Sequence, residues 1–266
     1  MVSFGIDRDL IGSFRALESQ AVCVDFDGTI SEIVGDPNLA QPLDGACEVL
    51  CSLAEQLNRV CVISGRPVSF LLDRLRLPNE RPGQPTLFGL YGLEKWTRDS
   101  GTRVPHDLDK NMHRVDMVRR KLVGYIDIEY PTAGVLVEDK VYSVAVHYRE
   151  IGILPVDLEH YVNSVAQGEG LRVIEGKKVL EIIPEGLPDK GSTLVEFCKG
   201  VKGVCVIGDD QGDLAAFRGL DALCASTLKV RVVVSGPETP GELMDLADII
   251  VESPTQALEL LSSLTN

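Results

Sequence analysis

Residues Ala21–Ile30 read AVCVDFDGTI, and this stretch decides the fold. Four apolar residues without polar alternation run straight into two aspartates, a glycine and a threonine. An unbroken apolar run of strand length suits a sheet covered on both faces, whereas a half-exposed strand would alternate. The same pattern returns in Arg59–Arg66, RVCVISGR, and in Gly203–Asp213, GVCVIGDDQGD. Each run ends in a polar, glycine-bearing turn, and open α/β sheets build their sites at the carboxyl ends of such strands.

Working outward, the strand candidates are Ala21–Asp25, Val60–Ser64, Thr86–Leu90, Val204–Gly208, Arg231–Ser235 and Ile249–Val251. Helical patterns lie between them at Gly45–Leu57, Val68–Leu75, Thr193–Cys198, Gly241–Leu246 and Gln256–Leu264, with Pro67 expected at the first helical position of the second. Strands alternating with helices imply an α/β fold with a Rossmann-like parallel-sheet core. From about His106 to Leu187 the pattern changes. A charged helix precedes GVLVED and KVYSVAVHYR, then a helix at Val156–Ala166 precedes LRVI and KVLEII, joined by a tight EGK turn. Two hairpin-like pairs around a helix predict an inserted α+β cap domain at 106–187, within a core formed by 1–105 and 188–266.

The 266 residues are 44% hydrophobic and 25% charged, with a formal net charge of −14. So acidic a surface repels phosphate backbones and anionic lipid, which argues against nucleic acid or membrane as a partner. A local basic pocket can still take a small anion. No apolar run approaches the roughly 18 residues that span a bilayer, and the start, MVSFGIDRDL, carries acids where a signal peptide would be basic. The seven cysteines are odd in number and show no metal-ligand spacing. They read as reduced core thiols of a cytoplasmic protein, expected to be a monomer.

Four motifs carry chemistry: Asp25-Phe26-Asp27-Gly28-Thr29-Ile30, Ser64-Gly65-Arg66, Lys190-Gly191, and Gly208-Asp209-Asp210-Gln211-Gly212-Asp213. Any one of them is an ordinary turn or cap. Together they bring up to five carboxylates to one sheet edge, where two charges ~4 Å apart repel by roughly 4 kcal/mol at an effective dielectric of 20. A bound cation, a lysine or proton uptake must offset that, and oxygen-only ligands suit Mg²⁺. Asp25 is placed to attack phosphorus, and Asp27 to protonate the leaving oxygen and then deprotonate water. Mg²⁺ is expected on Asp25, Asp209 and the Asp27 carbonyl. Thr29, Ser64 and Lys190, with Gly65 and Arg66 of the same loop, are expected around the phosphoryl oxygens. Asp210 and Asp213 are expected to orient metal-bound water or Lys190.

In the insert, alternation over Val141–Arg149 sends Tyr142, Val144, Val146 and Tyr148 to one face and Ser143, His147 and Arg149 to the other. Glu138 and Lys140 stand at the preceding turn, and Lys177 and Glu181 share a parity in the last hairpin. These residues form a polar surface able to bind sugar hydroxyls, or a solvated sheet face. A one-residue slip would exchange Lys178 for Lys177.

DFDGT, SGR, the lysine and GDDQGD occur in the order of the haloacid dehalogenase superfamily, which the chain resembles. VEDKVYSVAVHYR, KKVLEIIPEGLPDKG and GDDQGDLAAF are similar to the trehalose-6-phosphate phosphatase family over nearly the whole chain. The resemblance implies a haloacid dehalogenase-type core with a specificity cap, an aspartyl-phosphate route, and hydrolysis of trehalose 6-phosphate to trehalose and phosphate. It maps the family's E-x-K…H-x-R pattern onto Glu138, Lys140, His147 and Arg149, and its hairpin lysine and glutamate onto Lys177 and Glu181. Two departures stand out. FGLYGLE places Tyr91 where the family has histidine, and Gly212 and Leu214 replace a threonine and a glutamate. They keep alternatives open: a phosphatase of the same cap type acting on sucrose 6-phosphate or a glycosyl-3-phosphoglycerate, or a sugar-phosphate sensor.

Overall fold

The computed structural model describes residues 3–5, 7–104, 108–140, 142–176, 178–237 and 239–265. In chain order the first unit starts with β1 (Ser3–Phe4), α1 (Arg8–Arg15), β2 (Gln20–Val24), α2 (Ala46–Gln56) and β3 (Arg59–Ile63). It continues through α3 (Val68–Leu75), β4 (Thr86–Gly89), β5 (Glu94–Thr97) and β6 (Gly101–Arg103). A second unit follows, with α4 (Leu108–Glu129), β7 (Leu136–Asp139), β8 (Val144–His147), α5 (Val156–Gly168), β9 (Leu171–Gly176) and β10 (Val179–Pro184). The chain returns to the first unit with α6 (Lys190–Phe197), β11 (Gly203–Gly208), α7 (Asp213–Gly219) and β12 (Leu228–Val234). It ends with α8 (Gly241–Leu246), β13 (Ile249–Val251) and α9 (Pro254–Ser263). By contacts the chain divides into Met1–Val104 with Pro188–Asn266, and Pro105–Leu187. Among the described residues no helix is long and apolar enough to cross a membrane.

In the first unit the described strands form one sheet in the order β1-β13-β12-β11-β2-β3-β4-β5-β6, parallel from β1 to β4. β5 and β6 extend it antiparallel. Every residue of β2 and β11 is buried, which explains their unbroken apolar sequences. Alternate side chains feed two cores. Val22, Val24, Val60, Val62, Cys205 and Ile207 pack with residues of α1, α2, α3 and α9, whereas Ala21, Cys23, Cys61, Ile63, Val204 and Val206 pack with α6, α7 and α8.

Several boundaries differ from expectation for local reasons. Pro67 is the cap of α3 rather than its first residue, with an extended ψ of 152°. The helix expected from Thr193 begins three residues earlier, because Asp189 and Ser192 form a reciprocal capping box. Helix α1 and strands β1, β5 and β6 lie outside the elements that the sequence pattern predicts. Asp7 caps α1 by accepting from the amides of Asp9 and Leu10, and Ile11 and Phe14 bury its inner face. Cys224 is exposed, so the thiols are not uniformly core residues.

In the second unit β7-β8-β10-β9 form an antiparallel sheet. Val144, Val146, Leu180 and Ile182 face a core with Val118 and Leu122 of α4 and Leu158 and Val162 of α5. The strand expected over Val141–Arg149 shrinks to Val144–His147, because the Lys140 amide turns back to the Ser143 carbonyl at 3.0 Å. At the other end of β8 the Tyr148 carbonyl accepts from the Gly152 amide at 3.2 Å, and Arg149 lies in the turn so formed, exposed, rather than on a strand face.

Candidate active site

The two-residue period of β2 decides which helices meet its final aspartate. Ala21 and Cys23 point toward α6 and α7, and one further step of two carries Asp25 to that side. The strand ladder extends to Asp25, whose amide donates to the Ile207 carbonyl at 3.0 Å. Lys190, at the first position of α6, sends its ammonium to Asp25 Oδ1 at 2.6 Å and Asp213 Oδ1 at 2.7 Å. Asp213 opens α7, and its Oδ2 also accepts from the amides of Asp209 and Asp210 at 3.0 and 3.2 Å. Oxygens of Asp25, Asp209 and Asp213 lie within 4.8 Å of one another. All four side chains are buried, Lys190 being 3% exposed.

One ammonium among three buried carboxylates leaves excess negative charge, and the protonation preferences show it. Burial pushes Asp25 well above the usual carboxylate range against the pull of Lys190. Burial and the neighbouring Asp213 raise Asp209 to about 8, and burial brings Asp213 up to about 6 despite Lys190. Burial alone would lower Lys190, but Asp213 and Asp25 outweigh it and hold the ammonium charged.

The flanking loops press close. Gly28 has φ +76°, and a Cβ there would collide with the Asp209 carboxylate. Thr29 is fully buried and its hydroxyl donates to Asp209 Oδ1 at 3.4 Å. Ser64 Oγ accepts from the Arg66 amide at 3.1 Å. Arg66, expected among the phosphate-binding groups, forks onto Asp27 instead, with Nε to Oδ2 and Nη2 to Oδ1 both 2.9 Å. Its guanidinium also lies 4.7 Å from the centroid of Phe70, in the first turn of α3, a cation–π contact. Asp210 stands at the rim, accepting from the Asp213 amide at 3.2 Å. Sequence reasoning missed Glu94, whose carboxylate caps α3 through the Val68 amide at 2.6 Å.

In the second unit, the sheet face opposite the core carries Glu138, His147, Lys140 and Glu181. His147 Nε2 lies 2.8 Å from Glu138 Oε2, and Lys140 Nζ 3.5 Å from Glu181 Oε1. Ser143 donates to Glu181 at 2.7 Å and is itself buried. Lys177 lies outside the described residues. Lys178 reaches the Gly152 carbonyl and lies 5.9 Å from the Tyr148 ring centroid.

A largely parallel sheet with helices on both faces, three buried aspartates and a lysine at its carboxyl edge define the class of fold: it is shared with a haloacid dehalogenase-like hydrolase from Bacteroides thetaiotaomicron, with a TM-score of 0.60 at 18% identity, covering 91% of this chain and 99% of that one. Within that class the chain belongs to the Trehalose-phosphatase family, which it matches over residues 23–242. It is 35% identical over 175 residues to the trehalose-phosphate phosphatase of Mycobacterium leprae, covering 65% of this chain and 39% of that protein. To the trehalose-phosphate phosphatase of Mycobacterium avium it is 30% identical over 255 residues, covering 92% of this chain and 62% of the relative. The chain thus spans less than two-thirds of the length of these curated relatives. The solved structure of Aspergillus fumigatus trehalose-6-phosphate phosphatase shares the fold with a TM-score of 0.70 at 23% identity, covering 98% of both chains.

Proposed function

We infer that the chain is a Mg²⁺-dependent phosphatase hydrolysing trehalose 6-phosphate to trehalose and phosphate through an aspartyl-phosphate. The observation that carries this reading is the buried Lys190 bridging Asp25 and Asp213 beside Asp209, in a member of this family. Three oxygen donors within 4.8 Å and one cation too few suit a small hard dication. Asp25 and Asp209 would hold Mg²⁺ with the Asp27 carbonyl, while Asp213, already accepting from Lys190 and two amides, braces the set. When bound, Mg²⁺ supplies charge neutralisation at the transferring phosphoryl group.

A carboxylate oxygen of Asp25 attacks phosphorus, and the bond from phosphorus to the sugar oxygen breaks. Asp27, protonated, gives its proton to that oxygen, so the Arg66–Asp27 fork must open for this step. Water then attacks the phosphorus of the acyl phosphate while the Asp27 carboxylate takes its proton, which releases phosphate and restores Asp25. Lys190, Thr29, Ser64 and the Gly65 amide hold the phosphoryl oxygens, and Lys190 screens the nucleophile. Glu138, Lys140, His147, Arg149, Lys177 and Glu181 are proposed to bind sugar hydroxyls. Four of them lie on one face of a small sheet, paired with one another across it.

The test is phosphate release with Mg²⁺ from trehalose 6-phosphate, sucrose 6-phosphate, glucose 6-phosphate and glucosyl-3-phosphoglycerate. Strong preference for the first supports the assignment. Preference for another keeps the chemistry and changes the substrate, and silence from folded, metal-bound protein refutes the reading.

A further inference from the structure

Leu90, Tyr91 and Gly92 have φ of +50°, +62° and +110°, and only the last is glycine. L-residues avoid this region because Cβ crowds the following carbonyl, so two in succession persist only where contacts hold them. Here the contacts lead to two separate parts of the proposed machinery. The Leu90 amide donates to the Arg66 carbonyl at 3.0 Å and the Tyr91 amide to the Ser64 carbonyl at 2.9 Å. The Tyr91 ring lies over Gly65, where a Cβ would stand 2.8 Å from both Cζ and Oη. On the other side, the Tyr91 carbonyl accepts from Thr193 Oγ1 at 2.9 Å. Thr193 follows Lys190 by three residues in the first turn of α6. Gly92 approaches Thr193 so closely that any Cβ would overlap its hydroxyl.

We propose that Tyr91 is a positioning residue for phosphoryl transfer. Its ring clamps the Ser64-Gly65-Arg66 loop, and its carbonyl ties that loop to the helix presenting Lys190. The inference rests on the phosphatase reading above. Ser64 and Lys190 must meet the same phosphoryl group, yet they come from elements far apart in the chain. The strained turn is a short physical link between them, and its tension is tolerated because relaxing it would let the two drift.

The experiment compares kcat and KM on trehalose 6-phosphate and on p-nitrophenyl phosphate, alongside melting temperature. Tyr91→Gly removes the ring while suiting φ +62°, so melting should hold or rise. Meanwhile kcat should fall on both substrates together, by about 10- to 100-fold, with KM little changed. Tyr91→Phe keeps the ring over Gly65 and should retain most of the wild-type kcat. Thr193→Val, which breaks only the tie to α6, should lower kcat on both substrates. A loss confined to the sugar phosphate would overturn the proposal, because the ring would then serve the leaving group. Equal losses in Tyr91→Phe and Tyr91→Gly would overturn it too, as would a collapse in melting temperature for Tyr91→Gly. A wild type inactive on both substrates overturns the phosphatase reading, and this proposal with it.

Discussion

Lys190→Met tests whether a single ammonium holds the carboxylate edge together. Methionine is unbranched and of similar reach, so the substitution removes charge with little change in volume. Lys190 is 3% exposed and bonded to two carboxylates at 2.6 and 2.7 Å. Breaking such a buried pair from one side costs about 3–5 kcal/mol. The remaining aspartates, within 4.8 Å of one another, repel by about 3.5 kcal/mol per ionised pair at an effective dielectric of 20. Proton uptake limits this cost, and the sign follows from the raised folded-state values. Asp209, raised to about 8, and Asp213, raised to about 6, are carboxyls whose contribution is fully present below the unfolded value and lost as pH rises through the folded one. At pH 5 both are largely protonated, so the lysine has less charge to offset, with Asp210, held below the usual carboxylate range, still facing it at 4.0 Å. At pH 8 in EDTA the variant should therefore lose about 3–5 kcal/mol, and at pH 5 less than about 1.5 kcal/mol. Urea titration read by tryptophan fluorescence suits the question, because the one tryptophan, Trp96, lies in β5 and packs against the core of the first unit. An equal loss at both pH values would refute the charge argument.

Three further outcomes are expected. Asp25→Asn should abolish phosphate release while leaving the melting temperature unchanged or raised, since one charge leaves a crowded cluster; normal turnover would remove Asp25 as nucleophile. Mg²⁺ affinity measured by calorimetry should fall about 50-fold from pH 8 to pH 6, because a carboxyl titrating at about 8 must lose its proton to ligate; a pH-independent affinity would exclude Asp209 from the ligand set. Gly28→Ala combines a left-handed backbone, costing about 1–2 kcal/mol, with a collision against Asp209. It should lower both the melting temperature and turnover, and an unperturbed variant would refute the close approach of that loop.

Much of the core was legible in the sequence because its cause is local. AVCV, RVCVI and GVCVI had to be strands covered on both faces, since any exposed face would have needed polar alternation. The turns that follow them had to hold Asp25, Ser64 and Asp209, since the strands end there. Helix α1 was not legible in the same way. Its short amphipathic pattern gains its identity from the cap at Asp7 and from the burial of Ile11 and Phe14 against strands distant in sequence. The antiparallel edge formed by β5 and β6 is set by pairing with β4 rather than by its own composition.

By itself, then, the sequence determined the alternation of strands and helices, the carboxylates and lysine at the strand ends, and the excess of negative charge among them. These follow from residue type and spacing along one chain direction. Only the tertiary structure decided who partners whom. It turned Arg66 onto Asp27, set Asp213 beside Asp25 and Asp209, and shortened β8 so that Arg149 falls in a turn. It also bent Leu90 and Tyr91 into a left-handed turn spanning Ser64 and Thr193. The approach of Asp213 to Asp25 and the tie from Tyr91 to Thr193 join residues more than a hundred positions apart, and such distances arise only when the two faces of the sheet are packed.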